Sequence, residues 1–280
     1  MISVELCKQL PRQRTWLTLL ALAAFAPVMT IALSATGADR TEFVGDIPLL
    51  LVPGRSGFSL PLLALSSTMK FFLPLAVAVF AGEAVAGESG WGSLRYELGK
   101  GVARWRLLGA KAAVAALLSG VAVAVVPLAA LVTGLAMYGA GPLTVGDGGA
   151  GDPAQVPVAT FTSAAALLRL GLATAYVVAG MTSVFAFALF LSTVTSRALV
   201  AVAGGVGLTM VSRLLNADYL PGVAVLNPYM PNNEVDLLQH LFQQPMQTDG
   251  MLHFLLLQLV YGAAFLCAAW WWFSRKDILT

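Results

Sequence analysis

Few residues of this 280-residue chain are of a type that does chemistry. There are two histidines, His240 and His253, and two cysteines, Cys7 and Cys267. Cys7 precedes the first apolar run and Cys267 lies inside the last, so the pair gives neither a disulfide framework nor a metal-ligand spacing. A histidine metal site would have to borrow carboxylates from distant segments. The stretch Gly87-Glu88-Ser89-Gly90-Trp91-Gly92-Ser93 has the glycine spacing of a phosphate-binding loop. It lacks the lysine that reaches the phosphates, follows an apolar run and not a strand, and no Walker motif occurs elsewhere. A membrane-embedded hydrolase would need Ser/His, paired Asp or His-Glu-x-x-His at one depth. The serines of the apolar runs have no nearby histidine, and no aspartate lies deep in any run. The chain is therefore expected to carry no catalytic residues, no metal and no cofactor of its own.

Two ionisable residues fall within apolar runs. Lys70 lies about eight residues into the second, roughly 12 Å deep at ~1.5 Å per residue. A cation at that depth marks a candidate translocation path, satisfied by an anionic substrate, a lipid headgroup or a structural carboxylate. Arg169 sits near the outer end of its run, where its long stem lets the charge reach the surface.

The elements that position these groups follow from composition. Hydrophobic residues make up 58% of the chain and charged ones 11%, against about 25% charged in soluble domains. Mean hydropathy is +0.81. A span needs roughly 20 apolar residues to cross about 30 Å of hydrocarbon, and six such runs occur, at about 16–35, 62–82, 112–138, 162–191, 198–215 and 251–273. Pro127 predicts a kink in the third. The first run is longer than a signal-peptide core and is read as a retained span. Residues 1–14, with Ile2, Val4, Leu6 and Leu10 among Lys8, Arg12 and Arg14, predict a short interfacial helix ending near Pro11. The stretches 37–61 and 139–161 are rich in Gly, Pro and Asp and read as loops. Within 216–250, Asn232 or Asn233 caps a predicted short helix whose face carries Val235, Leu238, Leu241 and Phe242; His240 on it is read as solvated. Small residues at four-residue spacing mark close-packing faces, Ala112, Ala116, Gly120 and Ala124 on the third span and Gly171, Ala175 and Ala179 on the fourth. Trp270, Trp271 and Trp272 suit a membrane–water interface.

With the N-terminus inside, the inner segments hold Lys8, Arg12, Arg14, Arg95, Lys100, Arg104, Arg106, Lys111, Arg197, Arg275 and Lys276. The outer ones hold only Arg40, Arg55 and Arg213. The positive-inside rule then places both ends in the cytoplasm. The longest inner segment, 83–111, repeats apolar residues at Trp91, Leu94, Leu98 and Trp105, spacings that give one face of a helix. Two readings stand: an interfacial helix in a basic loop, or a helix that docks into another protein.

This segment resembles the loop of type-2 ABC transporter permeases: an acid, then Gly-Thr-Leu-Arg, then Pro-x-x-Arg, then a lysine opening the next span. Glu88 matches the acid, Gly92, Ser93, Leu94 and Arg95 the first box, Gly101 to Arg104 the second, and Lys111 the lysine, with Ser93 for Thr and Gly101 for Pro. Glu5, Leu6 and Lys8 before a Trp-led first span resemble the same family. So do the link from Leu191 and Ser192 to Ser196 and Arg197, and the ending Phe273-Ser274-Arg275-Lys276. The resemblance covers nearly the whole chain in order. It implies an all-α membrane protein of six transmembrane helices with the type-2 exporter fold, forming one transmembrane domain over 1–280. It also implies a dimer with a second permease subunit, identical or homologous, resting on separate ATPase subunits that bind the ATP and Mg. The coupling segment would comprise Glu88, Trp91, Gly92, Ser93, Leu94, Arg95, Leu98 and Arg104, beside an interfacial helix carrying Glu5, Leu6 and Lys8. Its setting would be a bacterial cytoplasmic membrane, its cargo a hydrophobic or amphipathic compound. Membrane lipid is an expected partner and nucleic acid is not. The alternative is a stand-alone secondary transporter or channel, which would show inverted repeats or broken helices at corresponding positions.

Overall fold

A computed structural model describes residues 2–35, 49–51, 56–90, 103–147, 159–216, 229–231, 233–242, 248 and 250–276. The helices are α1 (Ile2–Gln9), α2 (Gln13–Ala35), α3 (Ser59–Thr68), α4 (Phe72–Gly90), α5 (Arg104–Tyr138), α6 (Ser163–Gly180), α7 (Thr182–Val194), α8 (Ala198–Asn216) and α9 (Met251–Arg275). A 3-10 helix, Asn233–Phe242, precedes α9, and three short strands are β1 (Leu49–Leu51), β2 (Leu143–Asp147) and β3 (Ala159–Phe161).

Six helical stretches are long and apolar enough to cross a membrane: α2, α4, α5, α6 with α7, α8 and α9. Their outer faces stay apolar. Leu199 is 80% exposed, Val132 70% and Leu252 68%, and large apolar side chains exposed along helices long enough to cross a bilayer are suited to lipid. The protein is thus an all-α, multi-pass membrane protein. The most buried of the six, α4, packs against α5, α7 and α8, while α2 lies on α5 and α9 lies on α7. Gly205 and Gly82 bring α8 against α4 so closely that a Cβ on Gly205 would stand 2.9 Å from the Ala78 Cβ, and one on Gly82 3.0 Å from Val202.

Several expected elements are corrected. The second run is not one helix over 62–82, because the chain turns at residues 69–71 between α3 and α4. Pro74 is the reason: its ring would clash with the Lys70 carbonyl in a continuing helix, whereas in the first turn of α4 its missing N–H is of no consequence. Gly57 meets Gly134, and Glu88 meets Lys111. From Gly57 to Glu88 the chain is long enough for about 46 Å of helix, but α5 covers the same stretch in about 35 Å, so α3 and α4 are not collinear. The third helix begins at Arg104, not Ala112, and runs unbroken through Pro127. The fourth run breaks at Met181 into α6 and α7. The loops at 37–61 and 139–161 contribute a three-stranded antiparallel sheet, with Leu50 opposite Gly146 and Thr144 opposite Thr160.

The small-residue stripes are also placed differently than expected. Ala116, Gly171 and Ala175 are exposed, and a Cβ on Gly120 or Gly171 would meet nothing within 4 Å. The tight backbone contact is elsewhere: a Cβ on Gly134 would stand 2.2 Å from the Gly57 carbonyl oxygen. At this sheet-bearing end Arg169 donates to the Leu241 carbonyl and lies 4.1 Å over the Phe161 ring. It thereby ties α6 to β3 and to the 3-10 helix, whose Leu238, Leu241 and Phe242 are buried. His240 is not freely solvated: its Nδ1 is buried and has no hydrogen-bond partner among the described residues.

Candidate functional site: a buried ion cluster where both chain ends meet

The end of the bundle opposite the sheet gathers α1, the start of α2, the end of α4, the start of α5 and the ends of α7 and α9. At its centre is Lys111, whose side chain is fully buried. Its Nζ donates to Glu5 Oε1 at 3.0 Å and to Glu88 Oε2. Both carboxylates are nearly as inaccessible, at 6% and 7% side-chain exposure. Arg12 stands 3.6 Å from Glu88 and Lys8 3.6 Å from Glu5, while Arg14 bonds Glu83 at 2.9 Å. Taking such ions out of water is unfavourable by several kcal/mol each and is offset only when each meets a close, hydrogen-bonded partner. Here one ammonium serves two carboxylates, so three segments far apart in sequence are held by one cation.

The local structure places them. Glu5 is the buried residue of α1, while Ile2 and Val4 on the same helix are 54% and 59% exposed. In water that arrangement would be inverted; against lipid it is reasonable. Trp16 Nε1 donates to the Leu10 carbonyl at 2.8 Å, closing the corner between α1 and α2. Glu88 lies in the last turn of α4, and Lys111 two turns into α5.

Beside this cluster the helix ends are tied by side chains. Ser192 Oγ accepts from the N–H groups of Val85 (3.1 Å) and Ala86 (2.8 Å), fixing α7 to α4 one turn from Glu88. Arg104 Nη1 donates to the carbonyls of Ser274 (3.0 Å) and Lys276 (2.9 Å) at the C-terminal end of α9. Lys276 Nζ donates in turn to the carbonyls of Thr193 (2.8 Å) and Val194 (3.2 Å) at the end of α7. Cations at helix C-termini satisfy orphan carbonyls and complement the helix dipole. Burial holds the Lys276 ammonium below the usual lysine value. Arg275 stacks 4.4 Å from the Trp271 ring centre, and Trp270 to Trp272 are all exposed.

The structure therefore brings Glu5, Lys8, Glu88 and Arg104 to one end, with Leu6 packed partly buried beside them. Trp91, Gly92, Ser93, Leu94, Arg95 and Leu98 lie outside the described residues. Lys70 is not part of this site, and it is not deep in a continuous span. It sits half-buried in the turn between α3 and α4, outside the candidate spanning stretch Phe72–Ser89.

A second polar centre was not foreseen. Gln258 on α9 is buried, accepts from the Ser183 N–H at 3.0 Å and donates to the Pro231 carbonyl. It thus takes the amide that a continuous α6–α7 helix would have used internally, which explains the break at Met181. The available signal was an amide side chain standing alone among Leu255, Leu256, Leu257 and Leu259. Among the described residues no His, Cys, Asp and Glu group has the arrangement of a metal site.

The fold and this site define a polytopic helical membrane protein with a charge-locked end. The chain belongs to the DUF2705 family, described as a protein of unknown function, whose model matches residues 29–279. The match takes in Glu88, Lys111 and Gln258. No curated protein matches the chain.

Proposed function

We propose that this chain is the membrane-spanning permease subunit of an ATP-driven exporter of the type-2 ABC class. It works as a dimer with a second permease subunit on separate ATPase subunits in the cytoplasmic membrane, moving a hydrophobic or amphipathic compound. The observation that supports this reading most is the Glu5–Lys111–Glu88 cluster. It joins an N-terminal helix to the two helix ends that flank residues 91–102, the stretch that resembles a coupling helix. A force arriving on such a stretch needs stiff attachment at both ends, and buried, hydrogen-bonded ion pairs supply stiffness. The outward apolar residues of α1 support its role as an interfacial helix. The basic residues at this end support a cytoplasmic location for both chain ends. The nucleotide chemistry then belongs to the partner ATPase.

The stand-alone transporter reading gains little from the two broken spans. The breaks fall in the second and fourth runs, which are not equivalent positions of a three-plus-three repeat.

Leu94→Asp tests the proposal. The permease is co-purified with an ABC ATPase from the same genome, and complex yield and substrate-stimulated hydrolysis are compared between the variant and the native chain. The reading expects insertion to be retained while association or stimulation falls at least tenfold. Unchanged association and stimulation would count against a coupling role for this segment.

A further inference from the structure

At half-depth in the bundle, beside the break between α6 and α7, lies a cavity of about 250 Å³. Its wall includes Val77 of α4, Ser119 and Gly120 of α5, Val178 of α6, Met181 at the break and Leu266 of α9. Counting from the charged end at ~1.5 Å per residue, Leu266 is about 14 Å deep and Val77 about 20 Å, near the middle of a hydrocarbon layer of about 30 Å. The volume is just below the ~300–1,000 Å³ of pockets that take drug-sized ligands.

Ser119 is the informative residue. It is 6% exposed, and its Oγ has no hydrogen-bond partner among the described residues. A helical serine usually bonds back to the carbonyl one turn earlier, as Ser212 does to Leu208; Ser119 does not. Buried polar groups are nearly always paired; Ser119 lines the cavity, and although its Oγ is shielded in this rotamer, a turn about χ1 can present it to a partner inside. Thr182 is the one other hydroxyl residue of an otherwise apolar wall, so water, which takes roughly two to four partners, is served at best at the low end of that range. A Cβ on Gly120 would meet nothing within 4 Å, so the space beside Ser119 is open. Gln258 fixes the adjoining break, bonded to the Ser183 amide and the Pro231 carbonyl. Val178 and Leu266 are each 39% exposed, on faces that meet lipid.

We propose that this cavity binds a small uncharged amphiphile entering sideways from the bilayer, a slim apolar body with one hydroxyl or carbonyl group set against Ser119 Oγ. A charged headgroup is disfavoured, because no ionisable side chain lines the wall and a bare charge is costly at this depth. The inference does not rest on the exporter reading and stands or falls separately from it.

The test uses the full chain in nanodiscs and two diazirine probes of about ten carbons, a primary alcohol and the matching alkane. Photolabelled peptides are mapped by mass spectrometry. Saturable labelling by the alcohol is expected on 116–123 and 178–185. Ser119→Ala should weaken half-saturation by the alcohol about two- to tenfold, the worth of one hydrogen bond, and leave the alkane unchanged. Gly120→Leu should abolish saturable labelling by both; if that variant does not fold, Ala116→Phe at the rim carries the same expectation. Labelling that never saturates and spreads equally over lipid-facing Leu199 and Leu259 overturns the site. Equal behaviour of alcohol and alkane in the native protein overturns the role of Ser119.

Discussion

Lys111→Met removes the cation that Glu5 and Glu88 share. The two carboxylates then remain at 6% and 7% exposure, facing each other without their shared donor. Removing one partner of a buried ion pair destabilises by about 3–5 kcal/mol. Arg12 and Lys8, each 3.6 Å from one carboxylate and themselves 34% and 41% exposed, can return about 1 kcal/mol between them. The net loss is then about 2–4 kcal/mol, or roughly 30- to 700-fold in the folded population at about 1.4 kcal/mol per decade. Thermal unfolding in detergent, followed by tryptophan emission, measures the loss. Hydrogen exchange over residues 2–9 locates it, because α1 is held at Glu5. The decisive comparison is the neutral triple variant Glu5→Gln, Glu88→Gln, Lys111→Met, which removes the buried charges together and should recover much of the deficit. A native-like Lys111→Met with α1 amides still protected, or a triple variant worse than the single one, would refute the idea that these ions form one linked unit.

Gly134→Val should fail to accumulate as a monodisperse protein, since its Cβ would lie 2.2 Å from the Gly57 carbonyl oxygen and overpacking against backbone has no cheap relaxation; size-exclusion profiles check this, and Gly120→Val serves as the harmless control. Gln258→Leu leaves the Ser183 amide and the Pro231 carbonyl unpaired, a loss of about 1–3 kcal/mol for each, and should lower the unfolding midpoint more than Gln258→Glu. The native cysteines report sidedness: a membrane-impermeant maleimide should label exposed Cys7 in inverted vesicles and not in right-side-out ones. Cys267, eight residues before the end of α9, should stay unlabelled in both, and Cys7 labelling from the outside would reverse the proposed orientation.

The number and order of the spanning helices were legible because twenty apolar residues in a row have few alternatives, and lipid removes most of those. The breaks were harder to see. Pro74 announced a disturbance without saying that the chain would turn at Lys70, since prolines within spans, as Pro127 shows, need not interrupt them. The break at Met181 had no proline at all. It depends on Gln258, some 75 residues away, competing for the Ser183 amide, and a pairing of that range leaves no local trace. The sheet escaped notice because strands of three to five residues in Gly- and Asp-rich stretches carry too few alternations to register as a period. In the ion cluster each residue is visible in the sequence, but their convergence is not. Spacing along the chain says nothing about whether Glu5 and Glu88 choose the same lysine. The small-residue stripes misled for a related reason: a stripe shows that close approach is allowed, and only the partner helix decides where it happens.

The position of Lys111 in the chain also bears on how the protein is made. Both of its carboxylates, Glu5 and Glu88, emerge from the ribosome before it does. A lysine whose side chain ends at 0% exposure would be a poor entrant to a nascent bundle on its own. With its counterions already delivered by the first two spans, the third arrives at a vacant, oppositely charged berth. Exchanging Lys111 and Glu88 would keep their ion pair and deliver its cation first. The present arrangement therefore lets membrane insertion proceed from the N-terminus without stranding a buried cation.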